Sequence, residues 1–270
     1  TAVLALVAAF AVAAPAVAQV PDWRTPDPQN TLVIDTNKGR IIVEMEPALA
    51  DAHVERLRTL ARRKFYDGLK FFRVIEDFMD QTGDPQNTGE GDSDLPNLDA
   101  QFSFARTPKT PFTQISRDGG AVFGFVGATP VQTQPDELMA LMATPKVSGM
   151  GLFCPGVLGM ARSEDPHSGN SQFFLMRGPF PRLNGQYTAF GRVISGLDVV
   201  RAIKLGEPVP EPMDRMTLVR VLADMPEAER PKIQVQNTAG PAFKAYAESV
   251  IKAKGPAFNI CDLEIKSDVR

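Results

Sequence analysis

The stretch that decides the fold lies at residues 71–84 and reads Phe-Phe-Arg-Val-Ile-Glu-Asp-Phe-Met-Asp-Gln-Thr-Gly-Asp. Its first five residues alternate in a way that is typical of a β-strand with both faces partly covered. The Thr-Gly-Asp-Pro sequence that follows Gln81 then ends this extended segment. Because Arg73 and Gln81 lie near Phe78 and Met79 in this stretch, it indicates an apolar groove with two polar anchors. The alternative is an ordinary core strand whose arginine extends to solvent.

The whole chain has the composition of a globular protein, with 270 residues of which 43% are hydrophobic and 23% are charged. This length suits one large domain or two small ones. The formal net charge is −3 and the sequence contains no long basic run. We therefore do not expect the protein to bind nucleic acid.

Other kinds of chemical site have little support in the sequence. Two histidines, His53 and His167, and two cysteines, Cys154 and Cys261, are scattered without a close pair, so no metal site is predicted. The glycines of residues 83–91 lack the spacing of a phosphate-binding loop. Neither histidine belongs to a nucleophile elbow. We predict no metal and no cofactor, and we interpret Cys154 as a structural or disulfide-bonded cysteine.

The first residues form an apolar, alanine-rich segment that ends in Ala16-Val17-Ala18. This ending is typical of a signal-peptide cleavage site, here before Gln19. We predict a signal peptide over residues 1–18 and a periplasmic or secreted protein; the alternative is an uncleaved membrane anchor. Neither a starting methionine nor a basic segment precedes the apolar region, so we expect further residues before Thr1. Export would permit a disulfide between the two cysteines, whose separation in space the sequence does not reveal.

The remaining sequence indicates one main domain with a short linker before it and an extension after it. We interpret residues 19–30 as a linker, 31–226 as the main domain and 227–270 as a C-terminal extension that packs on the main domain or a partner and carries no chemistry. The main domain opens with a predicted hairpin and a helix over 51–63 with Asp51 as its N-cap. Residues 106–150 contain predicted strands near 114–115 and 121–126 and a short helix over 136–142.

Three blocks of sequence carry a further signal. They read Phe72-Arg73-Val74-Ile75-x-x-Phe78-Met79-x-Gln81-x-Gly83-Asp84, then Pro155-Gly156-Val157-Leu158-Gly159-Met160-Ala161 with Ser171-Gln172-Phe173-Phe174, then Leu183-Asn184-Gly185-Gln186-Tyr187 with Phe190-Gly191-Arg192-Val193. In order and spacing they resemble the motifs of the cyclophilins, the peptidyl-prolyl cis-trans isomerases, and three ordered blocks are far more specific than one. The resemblance covers residues 31–222, apart from an insert at about 106–150. It implies a mainly β fold, a closed eight-stranded antiparallel β-barrel capped by two helices.

The resemblance also implies a substrate groove on the outer face of the barrel. Arg73 would be the catalytic residue. The residues that would bind substrate form three groups: a proline pocket of Phe78, Met79, Phe174 and Leu183, backbone-binding amides of Gln81 and Gln172, and Ala161 and Tyr187 lining the groove.

Three positions depart from familiar members of that family. Tyr187 and Phe72 stand where histidine is usual or frequent, and Arg182 replaces a tryptophan at the rim of the pocket. Tyr187 can still donate a hydrogen bond and line the pocket. The side chain of Phe72 is expected to point away from that of Arg73. These departures argue against tight cyclosporin binding more than against catalysis.

The implied function is the cis-trans isomerisation of X-Pro bonds in exported proteins, which assists their folding. We expect proline-containing polypeptides as partners, no nucleic acid, no membrane association after signal removal, and a monomer. The alternative is a chaperone or scaffold module that binds proline segments with little catalytic turnover. A third hypothesis is that the insert forms a protein-interaction surface at the border of the groove.

Overall fold

The fold is given by a computed structural model that describes residues 20–270, so the predicted signal peptide lies outside the described residues. The strands are β1 (Trp23–Arg24), β2 (Thr31–Thr36), β3 (Gly39–Met45), β4 (Arg73–Ile75), β5 (Met79–Thr82), β6 (Phe104–Arg106), β7 (Phe112–Asp118), β8 (Ala121–Val126), β9 (Thr129–Thr133), β10 (Val147–Gly151), β11 (Val157–Met160), β12 (Phe173–Met176), β13 (Ala189–Ser195), β14 (Met216–Val221), β15 (Ile233–Gln236) and β16 (Ser267–Val269). The helices are α1 (Pro47–Arg62), α2 (Asp136–Ala140), α3 (Leu197–Ala202) and α4 (Pro241–Lys254).

The main domain is built on one antiparallel sheet of eight strands in the order β14-β2-β3-β13-β11-β12-β5-β4. The predicted number of strands and their antiparallel pairing are confirmed, but the predicted closed barrel is wrong. The sheet is a curled half-barrel whose edge strands, β14 and β4, do not pair with each other. Because β4 has only three residues, the two edges meet through flanking segments instead, as in the hydrogen bond from Phe71 N to Asp214 O at 2.9 Å.

The inner face of this sheet packs on α1 and α3 around a single apolar core. Val54, Leu57 and Leu60 of α1 are fully buried there, as is Val200 of α3. Burying each such side chain contributes about 1.5–3 kcal/mol. The predicted apolar face of α1 is therefore confirmed. The two helices cover the inner face of the sheet, and neither covers the outer face of β4, β5 and β12.

The start of α1 differs from the prediction. The helix begins at Pro47 and its N-cap is Glu46, whose carboxylate accepts a hydrogen bond from the amide of Ala48 at 3.3 Å. Ala50 then leaves helical geometry, which places a kink just before Asp51, the residue predicted as the N-cap. Proline suits the first turn of a helix because its missing N–H is not needed there.

The environment of Glu46 makes the stability of the fold pH-dependent. Burial, reinforced by the neighbouring Glu44 carboxylate, raises the pKa of Glu46 to about 7, although the Ala48 hydrogen bond opposes the shift. An unfolded glutamate has a pKa near ~4.3, so the folded state binds more protons between about pH 4 and pH 7. This contribution to stability is therefore lost as the pH rises through that window.

Replacing Glu46 by glutamine should remove this pH dependence. The stability of Glu46→Gln relative to wild type should be about 3 kcal/mol higher at about pH 7.5 than at about pH 4.5. Chemical denaturation at both pH values measures the difference, with Glu55→Gln, an exposed position of the same helix, as the control. A constant difference between Glu46→Gln and wild type at the two pH values would contradict the prediction.

The insert forms its own antiparallel sheet in the order β6-β10-β9-β8-β7. The strands predicted near residues 114–115 and 121–126 correspond to β7 and β8, and the predicted helix corresponds to α2, which ends earlier at Ala140. The sequence did not indicate β9, because Pro130 lies within it and prolines usually interrupt strands. Pro130 nevertheless pairs with Phe125, and its carbonyl accepts a hydrogen bond from Leu152 N at 2.9 Å.

The C-terminal extension packs on the main domain, which is one of the two alternatives that the sequence left open. Its strands β15 and β16 form a three-stranded sheet with β1, in the order β1-β15-β16, so residues interpreted as linker contain a paired strand. Phe243 of α4 is fully buried and meets Phe125 of the insert edge to face at 5.5 Å. A disulfide joins Cys154 of the main domain to Cys261 of the extension, with their Cα atoms 5.0 Å apart. Across residues 20–270, none of the helices has the length and apolar character needed to cross a membrane.

Candidate active site

Three neighbouring strands place the predicted polar and apolar residues in one row on the outer face of the half-barrel. In the sheet register, Arg73 of β4 pairs with Gln81 of β5, and Gln81 pairs with Phe174 of β12. Their sequence neighbours Val74 and Phe173 belong to the inner core, as the alternation of a strand requires. Residues far apart in the chain thus converge on one surface.

A chain of hydrogen bonds runs across the polar part of this surface. Nη1 of Arg73 donates to Oε1 of Gln81 at 3.3 Å, and Nε2 of Gln81 donates to Oε1 of Gln172 at 2.9 Å. Nε2 of Gln172 in turn donates to the carbonyl oxygens of Gly89 and Gly91, each at 3.0 Å. The guanidinium and both predicted amides are therefore held in one network that ends on the backbone of residues 83–91.

The loop at residues 83–91 is itself fixed by Asp84. Its carboxylate accepts hydrogen bonds from the backbone amides of Gln86, Thr88 and Gly89 at 2.6, 2.8 and 2.6 Å. Burial acts to raise the pKa of Asp84, but these amide donors outweigh it and the pKa is lowered. The carboxylate therefore stays ionised and holds the loop that supports Gln172.

An apolar pocket lies beside the polar network. Met79, Phe174 and Leu183 are buried members of one apolar cluster, and the partly buried side chains that pack on this cluster include those of Phe78, Ala161 and Tyr187. Phe174 meets Tyr187 edge to face, with ring centroids 6.0 Å apart. The structure thus brings together every site residue that the sequence indicated.

Sequence reasoning missed two aromatic residues that shape the pocket. Phe153 stacks on Phe174 with ring centroids 5.7 Å apart, and Phe180 packs against Phe78 at 4.4 Å. Both lie just outside the motif blocks. Phe180 could have been found from the sequence, because it lies only three residues before Leu183, a residue already assigned to the pocket.

The rim of the pocket contains the residues that depart from the usual pattern. The guanidinium of Arg162 lies 4.4 Å from the ring of Tyr187, a cation–π distance. Arg182 is exposed, and Phe72 is buried below Gly89 rather than beside Arg73. The expectation that Phe72 points away from Arg73 agrees with this arrangement.

A buried ion pair lies behind the site. Oδ1 of Asp80 accepts a hydrogen bond from Nη1 of Arg177 at 2.9 Å, and Arg177 also donates to the carbonyl oxygens of Val200 and Arg201. Burial raises the pKa of Asp80 to about 7, although Arg177 opposes the shift. The pair ties β5 to α3 and so supports the strand that carries Met79 and Gln81. Within residues 20–270, no group of three or more His, Cys, Asp or Glu side chains could hold a metal ion.

Gly159 of β11 leaves the space that the Phe174 ring occupies. A Cβ atom at this position would lie 2.3 Å from Cζ of Phe174 and 2.8 Å from Cε1 of Phe153. If the pocket holds the proline ring that the sequence resemblance implies, Gly159→Ala should displace the Phe174 ring and raise KM for proline peptides about tenfold, an overpacking effect. Steady-state kinetics measures this, with thermal unfolding of the variant as the check on its fold. A variant that folds and has the KM of wild type would show that the ring position does not matter.

Comparison with known proteins identifies the family. A family model described as cyclophilin type peptidyl-prolyl cis-trans isomerase/CLD matches residues 31–222. The chain belongs to the cyclophilin family. Its enzyme class is accordingly that of the peptidyl-prolyl cis-trans isomerases, and the function implied by the sequence motifs is confirmed at this level.

Individual relatives agree with this assignment. A protein of Brucella suis biovar 1 (strain 1330), named a probable peptidyl-prolyl cis-trans isomerase, is 34% identical over 210 residues that cover 74% of this chain and 84% of the relative. Peptidyl-prolyl cis-trans isomerase-like 1 of Aspergillus fumigatus is 31% identical over 191 residues, 70% of this cyclophilin and 92% of the relative.

A solved structure extends the similarity beyond the matched domain. Cyclophilin AquaCyp293 from Hirschia baltica superposes with a TM-score of 0.83 at 34% sequence identity, and covers 92% of this chain and 93% of its own. The superposition covers a larger part of this chain than residues 31–222, which the family model matches. The structural likeness therefore reaches beyond residues 31–222.

Proposed function

We propose that this cyclophilin isomerises X-Pro bonds at the outer-face site and that Arg73 is the catalytic residue. The observation that carries the proposal is the hydrogen-bonded row of Arg73, Gln81 and Gln172 beside an apolar pocket. A proline ring needs an apolar recess, and the peptide groups around it need hydrogen-bond partners. Both are present within one surface.

The chemistry requires a well-placed donor rather than a nucleophile. The prolyl nitrogen shares its lone pair with the preceding carbonyl, and the resulting barrier to rotation is ~18–20 kcal/mol. Twisting the bond localises the lone pair on nitrogen. A guanidinium that donates to this nitrogen stabilises the twisted state more than either planar state, which is the condition for catalysis. Arg73 suits this role because an arginine stays protonated and presents a rigid set of donors.

The other site residues are assigned roles that follow from their positions. Met79, Phe174 and Leu183 form the floor of the proline pocket, and Phe78 its side. Gln81 and Gln172 hold the substrate backbone, since each amide has hydrogen-bonding capacity beyond the contacts it makes within the protein. Ala161 and Tyr187 line the groove next to the pocket. The ring would stay anchored while the preceding carbonyl rotates.

A pair of matched peptides tests the assignment of the pocket. A short peptide with one Ala-Pro bond should shift the backbone NMR signals of β5 and β12, whereas the same peptide with Ala-Ala in its place should bind at least about tenfold more weakly. Equal affinity for the two peptides would refute the proline pocket. Binding of the Ala-Pro peptide without faster isomerisation would support the alternative, a proline-binding module with little turnover.

We further propose that the protein acts on exported proteins, as a monomer in the periplasm or outside the cell, and assists their folding. The apolar segment ending in Ala16-Val17-Ala18 and the disulfide between Cys154 and Cys261 both support export, because disulfides persist in oxidising compartments. Mass spectrometry of the protein purified from a periplasmic fraction should find Gln19 as the first residue. Recovery in the cytoplasm with residues 1–18 intact would refute export.

The insert is proposed to contribute to the recognition of protein substrates. Phe125 belongs to the same apolar cluster as Met79 and Phe174, and Phe123 lines a cavity together with Phe153, which stacks on Phe174. These contacts support a position of the insert near the pocket. Shortening the β7–β8 hairpin should change selectivity among folded-protein substrates and leave the rate on a short peptide unchanged. Unchanged selectivity would count against this role.

A further inference from the structure

A carboxylate outside all three motif blocks contacts the guanidinium of the site. Nε of Arg73 donates to Oε1 of Glu207 at 2.5 Å, across a sequence separation of 134 residues. Glu207 lies between α3 and β14, in a segment that none of the motifs includes. The roles proposed above account for Gln81, the other hydrogen-bond partner of the Arg73 side chain, but assign no role to Glu207.

The backbone fixes Glu207 opposite β4. Gly206, the residue before it, forms a reciprocal pair of hydrogen bonds with Val74, at 2.9 Å from Gly206 N to Val74 O and 2.8 Å from Val74 N to Gly206 O. Val209 N also donates to Phe72 O at 2.9 Å. A Cβ atom on Gly206 would lie 2.6 Å from Cα of Val209, so glycine is required for this close path. The position of Glu207 is thus set by main-chain pairing on both sides.

Two acceptors on different edges of the guanidinium define its orientation. Glu207 accepts from Nε and Gln81 from Nη1, while Phe78 lies against the group, with its ring centroid 5.9 Å from Cζ. Among residues 20–270, no side chain or backbone oxygen accepts a hydrogen bond from Nη2 of Arg73. The two contacts therefore fix the direction of the Nη2 N–H groups, which are available to a ligand in the groove.

We propose that Glu207 is a positioning residue for Arg73, holding Nε so that the Nη groups are aligned with the prolyl nitrogen before substrate binds. The inference rests on the proposed catalytic role of Arg73. Both side chains are partly exposed, so the pair adds little to the stability of the fold. Its effect should instead be on turnover, because small misplacements of a catalytic group lower rates strongly.

Three substitutions test this role. Glu207→Ala should lower kcat roughly tenfold, the loss expected for one charge-assisted hydrogen bond, with little change in KM. Glu207→Gln should keep most of the wild-type kcat, because its amide oxygen still accepts from Nε. Glu211→Ala is the matched control: Glu211 lies in the same segment, and its carboxylate accepts hydrogen bonds from Nζ of Lys70 at 2.5 Å and from the amide of Met213 at 3.0 Å. It should have wild-type kcat and KM.

A second readout does not depend on turnover. Hydrogen exchange of the Arg73 Nε–H, followed by ¹⁵N NMR, should be faster in Glu207→Ala than in wild type, Glu207→Gln and Glu211→Ala. An equal exchange rate in Glu207→Ala and wild type would overturn the proposal, as would a wild-type or higher kcat in Glu207→Ala. If Arg73→Ala is inactive while Glu207→Ala is fully active, the proposed positioning role of Glu207 fails and the proposed catalytic role of Arg73 stands. If Arg73→Ala is fully active, the proposed role of Arg73 fails, and that of Glu207 fails with it.

Discussion

Replacing Arg73 by alanine is expected to lower kcat/KM on an X-Pro peptide by about 10²–10³, the usual cost of removing one donor that stabilises a transition state. The loss should appear in kcat, because the pocket of Met79, Phe174 and Leu183 still binds the proline ring. Arg73→Lys should recover only a part of the rate, since an ammonium keeps the charge but lacks the planar set of donors. A protease-coupled assay measures all three enzymes.

Arg63→Ala is the matched control for this experiment. Arg63 is also a partly exposed arginine paired with a carboxylate, that of Asp94 at 3.0 Å, but it lies at the end of α1, outside the groove. It should have wild-type kcat/KM. Thermal unfolding of Arg73→Ala should be close to wild type, because an exposed ion pair contributes about 0–1 kcal/mol. A folded Arg73→Ala enzyme with full activity would contradict the assignment.

Removing the disulfide is expected to have the largest effect on stability. Cys154 is fully buried in the apolar cluster that includes Phe174, and Cys261 belongs to the extension. The two are separated by 107 residues, and a crosslink over a loop of this length constrains the unfolded chain strongly. The double variant Cys154→Ala/Cys261→Ala should lose about 2–5 kcal/mol of unfolding free energy. Denaturant titration under oxidising conditions measures it.

The same structure predicts how a reductant reaches this bond. Cys261 lines a cavity of about 980 Å³ between the insert and the extension. We expect thiol attack at Cys261 and a reduced wild type with the stability of the double variant. Ser249→Ala, an exposed position on α4, serves as the control and should match oxidised wild type. A double variant within about 0.5 kcal/mol of wild type would show that the disulfide is not needed to hold the extension.

Residues 71–84 and the two later blocks were sufficient to name the residues of the candidate site. The single extended segment predicted to run through Gln81 is wrong, because the chain turns at residues 76–78 and forms the antiparallel strands β4 and β5. Alternation along β4, β5 and β12 determines which side chains share a face, and this period is visible in the sequence. The family resemblance named Arg73, Gln81 and Phe174 together, and the register of the sheet places them in one row. Local pattern and family resemblance point to the same surface.

Contacts that depend on the path of the backbone between elements could not be predicted. Glu207 reaches Arg73 only because Gly206 pairs with Val74, and a pairing between a loop and an edge strand has no periodic signal. Phe153 was missed for a similar reason: it stacks on Phe174 from a segment that follows the insert and has no alternation.

The expectation of a closed barrel failed at the edges of the sheet. The family resemblance implies eight strands, but closure depends on whether the two edge strands of the sheet can pair with each other. β4 has three residues, and the segment that meets it is the irregular stretch before β14. That irregular stretch is also what brings Glu207 to the site, so the departure from a closed barrel and the contact with Arg73 have one structural cause.

The most direct test of the central claim is to measure binding and exchange in a single NMR sample. A peptide with one X-Pro bond is mixed with a catalytic amount of enzyme, and exchange peaks between its cis and trans forms are recorded for wild type and Arg73→Ala. The outer-face site predicts strong exchange peaks with wild type and a cis-trans exchange rate lower by about 10²–10³ with Arg73→Ala, while both proteins still bind the peptide. Exchange at the same rate with both proteins would contradict the claim that Arg73 catalyses the isomerisation.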